Sequence, residues 1–124
     1  KEMRLKGPWV WQRVEPQTGV TLEVPDSVMG QHVLAMGLVV RPLSAPKAVV
    51  QASLQTPAGL AAWASSYKSR RGGGLLLLSL ATEQPGVWQD KTVRLLFTEP
   101  VEVMRMPSAS GQEQWAASWM GQRR

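Results

Sequence analysis

Apolar and polar residues alternate along much of the chain, and the alternation predicts strands. In residues 20–24, Val20, Leu22 and Val24 share one face while Thr21 and Glu23 share the other, the period-two pattern of a strand with one wet side. Residues 47–55 repeat it, with Val50, Ala52 and Leu54 inward and Gln51, Ser53 and Gln55 outward, and residues 91–98 repeat it with Val93, Leu95 and Phe97 inward. Two stretches, 32–40 and 75–80, are apolar almost throughout, which suits strands covered on both faces. Gly37 in the first marks a bulge or a close backbone approach. With 9–14 and 101–106 these runs make seven strand candidates.

The punctuation between them suggests partners. Pro16 and Gly19 predict a hairpin turn joining 9–14 to 20–24. Pro25, Asp26 and Ser27 break the second strand, and 41–46, with Pro42 and Pro46, reads as the loop of an antiparallel pair between 32–40 and 47–55. Residues 82–90, holding Pro85 and Gly86, are a further loop, and Glu99-Pro100 separates the last two strands.

Two segments follow the helical period instead. Thr56 can cap a helix that begins at Pro57, Leu60, Trp63, Ala64 and Tyr67 then fall on one stripe, and Lys68, Arg70 and Arg71 sit where cations suit the end of a helix, with Gly72 as its terminator. This predicts a packed helix over 57–71. In the tail, 108–124, Ser110 and Glu113 match a capping box, and Trp115 and Trp119 lie four apart beside Ala116 and Met120, with Gly121 as a stop. A short C-terminal helix is expected there.

A chain of 124 residues fits one domain, so 1–124 is read as a single β-rich domain carrying a helical tail. The expected fold is mainly β: a small antiparallel β-barrel or β-sandwich of about seven strands with one packed helix. A helix set among barrel strands resembles, in element order alone, the oligonucleotide/oligosaccharide-binding barrel, although an extra strand precedes the pattern and another follows it. A sandwich of immunoglobulin-like plan is the alternative.

At 44% hydrophobic and 19% charged residues the composition is that of a folding chain. Fourteen Lys and Arg against nine Asp and Glu leave +5, a balance that favours anionic partners at long range, but no run of five basic residues occurs and the default is a solvated face. Without cysteine, disulfides, thiolate metal sites and cysteine nucleophiles are excluded. The wholly apolar runs, 75–78 among them, are far too short for a spanning helix, so no transmembrane segment is expected. An opening at Lys1 without a signal-peptide core is the form of a processed or excised chain, which tilts the expected compartment toward periplasm or exterior over cytoplasm.

Candidate chemistry is thin. His32 is the single histidine and has neither a nucleophile motif nor metal-ligand company; it reads as structural or solvent-exposed. Glu99 and Glu102 straddle Pro100 and read as loop-edge acids rather than a glycosidase pair. Arg70-Arg71 followed by three glycines is no phosphate loop, because there a helix should follow the glycines and not precede them. No catalytic residue, metal site or cofactor is expected.

The unusual feature is six tryptophans against one Tyr and one Phe. With so few other aromatics, the indoles are expected to line the core. Against this, Trp9, Trp11 and Arg13 share one face of their strand and Val10, Gln12 and Val14 the other; should the valines face the core, two indoles and a guanidinium make a stacking platform. The candidate contacts are therefore Trp9, Trp11, Arg13, Lys68, Arg70, Arg71, Trp115 and Trp119. The leading expectation is a non-catalytic interaction or assembly module that holds a protein partner. Single-stranded nucleic-acid binding through the Trp face and the Lys68/Arg70/Arg71 cluster comes second, and an enzyme without a recognisable motif third. Partner identity and oligomeric state are not legible.

Overall fold

The structure is a computed structural model and describes residues 8–28, 33–43, 49–56, 59–61, 64–70, 73–81, 92–107 and 114–122. It is mainly β, built of two antiparallel sheets that do not close into a barrel. The strands are β1 (Val10–Val14), β2 (Val20–Glu23), β3 (Val33–Pro42), β4 (Ala52–Thr56), β5 (Gly59–Ala61), β6 (Ala64–Arg70), β7 (Gly73–Ala81), β8 (Thr92–Phe97), β9 (Val101–Met106), β10 (Gln114–Trp115) and β11 (Ala117–Gln122). One sheet runs β1-β9-β3-β7-β6, with β10 on β9 and β11 on β3; the other runs β2-β8-β4-β5. A single turn of 3-10 helix, Asp26–Val28, follows β2.

The alternating positions point where the pattern says. Val20, Leu22, Leu54, Val93, Leu95 and Phe97 of the small sheet meet Val14, Met36, Leu38, Val40, Leu76 and Val103 of the large one in one buried core. Each fully buried Leu or Val removes enough apolar area from water to contribute roughly 1.5–3 kcal/mol.

Two expected partnerships fail. The run 9–14 does not form a hairpin with 20–24, because β1 pairs with β9 and β2 with β8, in different sheets. The 15–19 turn instead carries the chain from one layer to the other. Thr18 and Gly19 both donate to the Glu15 carbonyl at 3.0 Å, Gly19 takes φ 68°, a conformation open to glycine without strain, and Arg94 Nε on β8 holds the Thr18 carbonyl at 2.9 Å. Likewise the runs 32–40 and 47–55 do not pair: β3 lies in the large sheet and β4 in the small one. The Glu99-Pro100 connection also changes layers, between β8 and β9.

Neither predicted helix is present. In place of a helix over 57–71 the chain forms β5 and β6, and β6 pairs with β7 from Ala64↔Ser79 to Arg70↔Gly73. Residues 57, 58, 62, 63, 71 and 72, with Trp63 and Arg71 among them, lie outside the described residues. The segment also reads with period two, since Ser65, Tyr67 and Ser69 alternate with Ser66, Lys68 and Arg70. Serine and tyrosine are indifferent helix formers, an isolated helix of this length is marginal in water, and the leucine-rich β7 offers a ladder that uses every backbone group. Tyr67 still turns inward, packing against the core opposite Leu76. In the tail, β10 and β11 replace the expected helix. Trp115, Ala117 and Trp119 are two apart, so they share one side of a strand as readily as one side of a helix, and all three pack against the core.

Candidate functional site: a split in the large sheet

The site arises where β3 and β9 part. They pair through Val40↔Val103, Arg41↔Glu102 and Pro42↔Val101. Beyond Val103, β9 continues as Met104-Arg105-Met106, and Arg105 occupies the face that Val101 and Val103 use for the core. A guanidinium cannot join a valine core without polar company. Arg105 Nη1 donates to the Gln12 amide oxygen of β1, and at this row the strands separate.

The segment 114–122 fills the fork. It enters along β9, with Gln114↔Met106 and Trp115↔Arg105, and bends at Ala116, whose N–H donates to the Met104 carbonyl at 2.9 Å and whose carbonyl accepts from Val39 N–H at 3.1 Å. It leaves along β3, from Ala117↔Leu38 to Gln122↔Val33. The large sheet thus has two arms, β1-β9-β10 and β11-β3-β7-β6. Between them lies a cleft of about 970 Å³. One wall carries Trp9, Met104, Met106 and Trp115; the other carries Val39, Leu75, Ala117, Ser118 and Trp119, and Leu22, Glu23 and Thr92 of the small sheet border it.

Three side-chain donors around this fork are buried and have no acceptor: Nε1 of Trp9, Nε1 of Trp115 and Nε of Arg105. Val10, Arg105 and Trp115 stand opposite one another across β1, β9 and β10, and Trp9 immediately precedes Val10. An unmet buried donor costs on the order of 1–3 kcal/mol, and native structures keep few.

At the other end of the fork the outer face of the sheet is closed by polar pairing. Arg41 Nε binds Glu102 Oε1 at 2.6 Å, and the same guanidinium lies 4.3 Å from the centre of the Trp11 ring. The far edge of that ring covers Gly73, where a Cβ would come 2.9 Å from Cη2. Gly73 has φ 145°, so both its backbone and its neighbour require glycine.

The predicted contacts therefore fall into separate places. The valine face of β1 does turn inward, with Val14 buried, and Trp11 and Arg13 face outward, but Trp11 is half-buried beneath Arg41 and Arg13 is paired with Glu15 at 2.5 Å. Trp9 goes to the cleft, together with Trp115 and Trp119. Lys68 is exposed on β6, four strand steps from β1, roughly 19 Å away. Arg70 ends the same strand. His32 lies outside the described residues. Sequence reasoning read Glu102, which pairs with Arg41 from within β9, as a loop-edge acid, and missed Arg41, Met104, Arg105 and Met106. The signal for the last three was an arginine between two methionines at the end of an otherwise regular β9.

Among the described residues no group of three His, Asp or Glu side chains is placed to hold a metal ion, and no helix is long and apolar enough to cross a membrane. Comparison with protein-family models, curated proteins and solved structures gives no match to this chain.

Proposed function

We propose that the chain is a non-catalytic interaction module, a sandwich-like β domain that holds a protein partner at the split in its large sheet. The observation that carries this reading is the lining of the cleft, where three tryptophans and two methionines converge on one opening. Trp and Met are the residue types that interfaces favour, because they offer large contact area at little entropic cost or adapt to an irregular partner. Leu77, 39% exposed, and Met120, 70% exposed, extend the apolar surface beyond the cleft.

Nucleic-acid binding draws less support. A stacking platform needs free ring faces, and one face of Trp11 already carries the Arg41 guanidinium. Lys68 and Arg70 stand at the opposite edge of the sheet. With a net charge of +5, weak binding to a single-stranded oligonucleotide is expected at low salt, lost by physiological ionic strength as counterion release weakens.

The test is a photocrosslinking residue in place of Ser118, which is exposed and borders the cleft, in cells that make the protein. A discrete protein adduct, absent when the same residue replaces Lys68, is the expected result. An adduct removed by nuclease, or equal adducts at both positions, overturns the proposal.

A further inference from the structure

We infer that the split is filled by residues 2–6 of a second copy of the chain, laid as an added strand on the free edge of β11. This names the partner of the interaction module and rests on that reading.

The first support is the edge itself. Among the described residues β11 pairs only with β3. The Ala116 carbonyl points to β3, where it accepts from Val39. Alternation along an antiparallel ladder directs Ser118 and Met120 the same way and turns the N–H and C=O groups of Ala117, Trp119 and Gly121 to the other edge. Edge strands are ordinarily blunted by charge or by shortness. At the ends of the two sheets β1 carries Arg13, β2 carries Glu23, β6 carries Lys68 and Arg70, and β5 has three residues. Residues 114–122 carry no charge, and an edge left in that state is a template for another strand.

The second support is the sequence that fills it. Residues 1–7 lie outside the described residues. In 2–6, Met3 and Leu5 alternate with Glu2, Arg4 and Lys6, the pattern of a strand with one apolar side. That side suits Trp115 and Trp119, which line the cleft, since a methionine packs well on an indole. Five residues of strand span about 17 Å, within the six residues of β11. The signs of charge also agree. Among the described residues Glu23 is the one charged side chain that lines the cleft, and it is exposed, whereas Arg4 and Lys6 outnumber Glu2 in the segment.

The third support decides whose segment it is. Val10 and Trp115 both stand opposite Arg105, so β1 and β10 lie on the two edges of β9. From the gap beside β11 to β1 is therefore three strand spacings, about 14 Å. Lys6 and Val10 are four residue steps apart, at most about 14 Å when fully extended, which leaves no length for the chain to pass over β10 and β9. A second copy meets no such limit, and reciprocal exchange between two copies closes a dimer.

The experiment compares the full chain with one that lacks residues 1–6, by sedimentation equilibrium over about a hundredfold range of concentration. The full chain is expected to dimerise and the shortened chain to stay monomeric. Met3→Asp with Leu5→Asp, which keeps the chain length, should weaken dimerisation about tenfold or more. Ala117→Pro, which removes an N–H from the free edge and leaves the ladder to β3 in place, should do the same. A synthetic peptide of residues 1–7 should bind the shortened chain and shift its tryptophan fluorescence; the peptide with Met3→Ser and Leu5→Ser should not. Dimers that survive the deletion overturn the segment as occupant. A monomeric full chain whose shortened form binds the peptide overturns the second copy and gives the segment to its own cleft. A monomeric chain that crosslinks at Ser118 to a different protein overturns this inference alone, and a monomer with no adduct at Ser118 removes the module reading as well.

Discussion

The large sheet has a closed end and a split end, and the two are built from different materials. Where β3 and β9 pair, the inward row holds Val40 and Val103, each fully buried, and the outward row holds Arg41 and Glu102 in an ion pair under Trp11. Among the described residues no buried side-chain donor there lacks a partner. Where the strands part, the inward row holds Arg105 and Trp115, whose Nε and Nε1 are buried without an acceptor. The contrast teaches that aromatic content by itself says little about function. Trp11, which looked like a platform, is a structural lid, and Trp115, which looked like the core side of a helix, stands at the opening.

Four measurements can break or sharpen this contrast. The largest effect is expected from Gly73→Ala at the closed end, since the new Cβ meets Trp11 at a backbone angle that L residues avoid; a loss of about 3 kcal/mol in urea unfolding is expected, and a cost below about 1 kcal/mol would mean that Trp11 does not seal that end. Val103→Ala follows, at about 2 kcal/mol, from two methyl groups removed at a fully buried site.

At the split end Trp115→Phe should cost less than its lost volume suggests, within about 1 kcal/mol of neutral, because the substitution also removes an unmet donor. A loss as large as that of Val103→Ala would show that the indole N–H finds an acceptor in solution and that the two ends are alike. The smallest effect concerns Tyr67, in the row where the split begins. Burial pushes its phenol above the ordinary value of 10.0. The neutral phenol therefore contributes stability that is fully present below pH 10 and is lost as pH rises through the higher folded value, while the unfolded chain ionises first. Alkaline unfolding of Tyr67→Phe should show a shallower decline over that range, and an unchanged profile would place the ring in water.

How much of this was legible in the sequence depends on which property is asked for. In 20–24 and 91–98, the inward residues named by alternation are those the structure buries: Val20, Leu22, Val24, Val93, Leu95 and Phe97. The candidate site was legible only as a set of tryptophans. Its geometry depends on Arg105, whose guanidinium reaches Gln12, the residue across from Val103 on β1, at the row where β3 leaves β9.

What the sequence determined by itself is the two-sidedness of its strands, a local property set by each residue's own transfer energy and the period of an extended chain. Strand partners were decided only in the tertiary structure. Each alternating run could pair with several others, and the choice between a hairpin and a change of layer rests on contacts far apart in the chain, such as Arg94 with the 15–19 turn. The same holds for 57–71 and 114–122. A spacing of four residues fits one face of a helix and one face of a strand equally well, so Tyr67 and the pair Trp115 and Trp119 satisfy both periods. The free edges of β7 and β3, which exist only once the sheet has formed, drew those segments into strands.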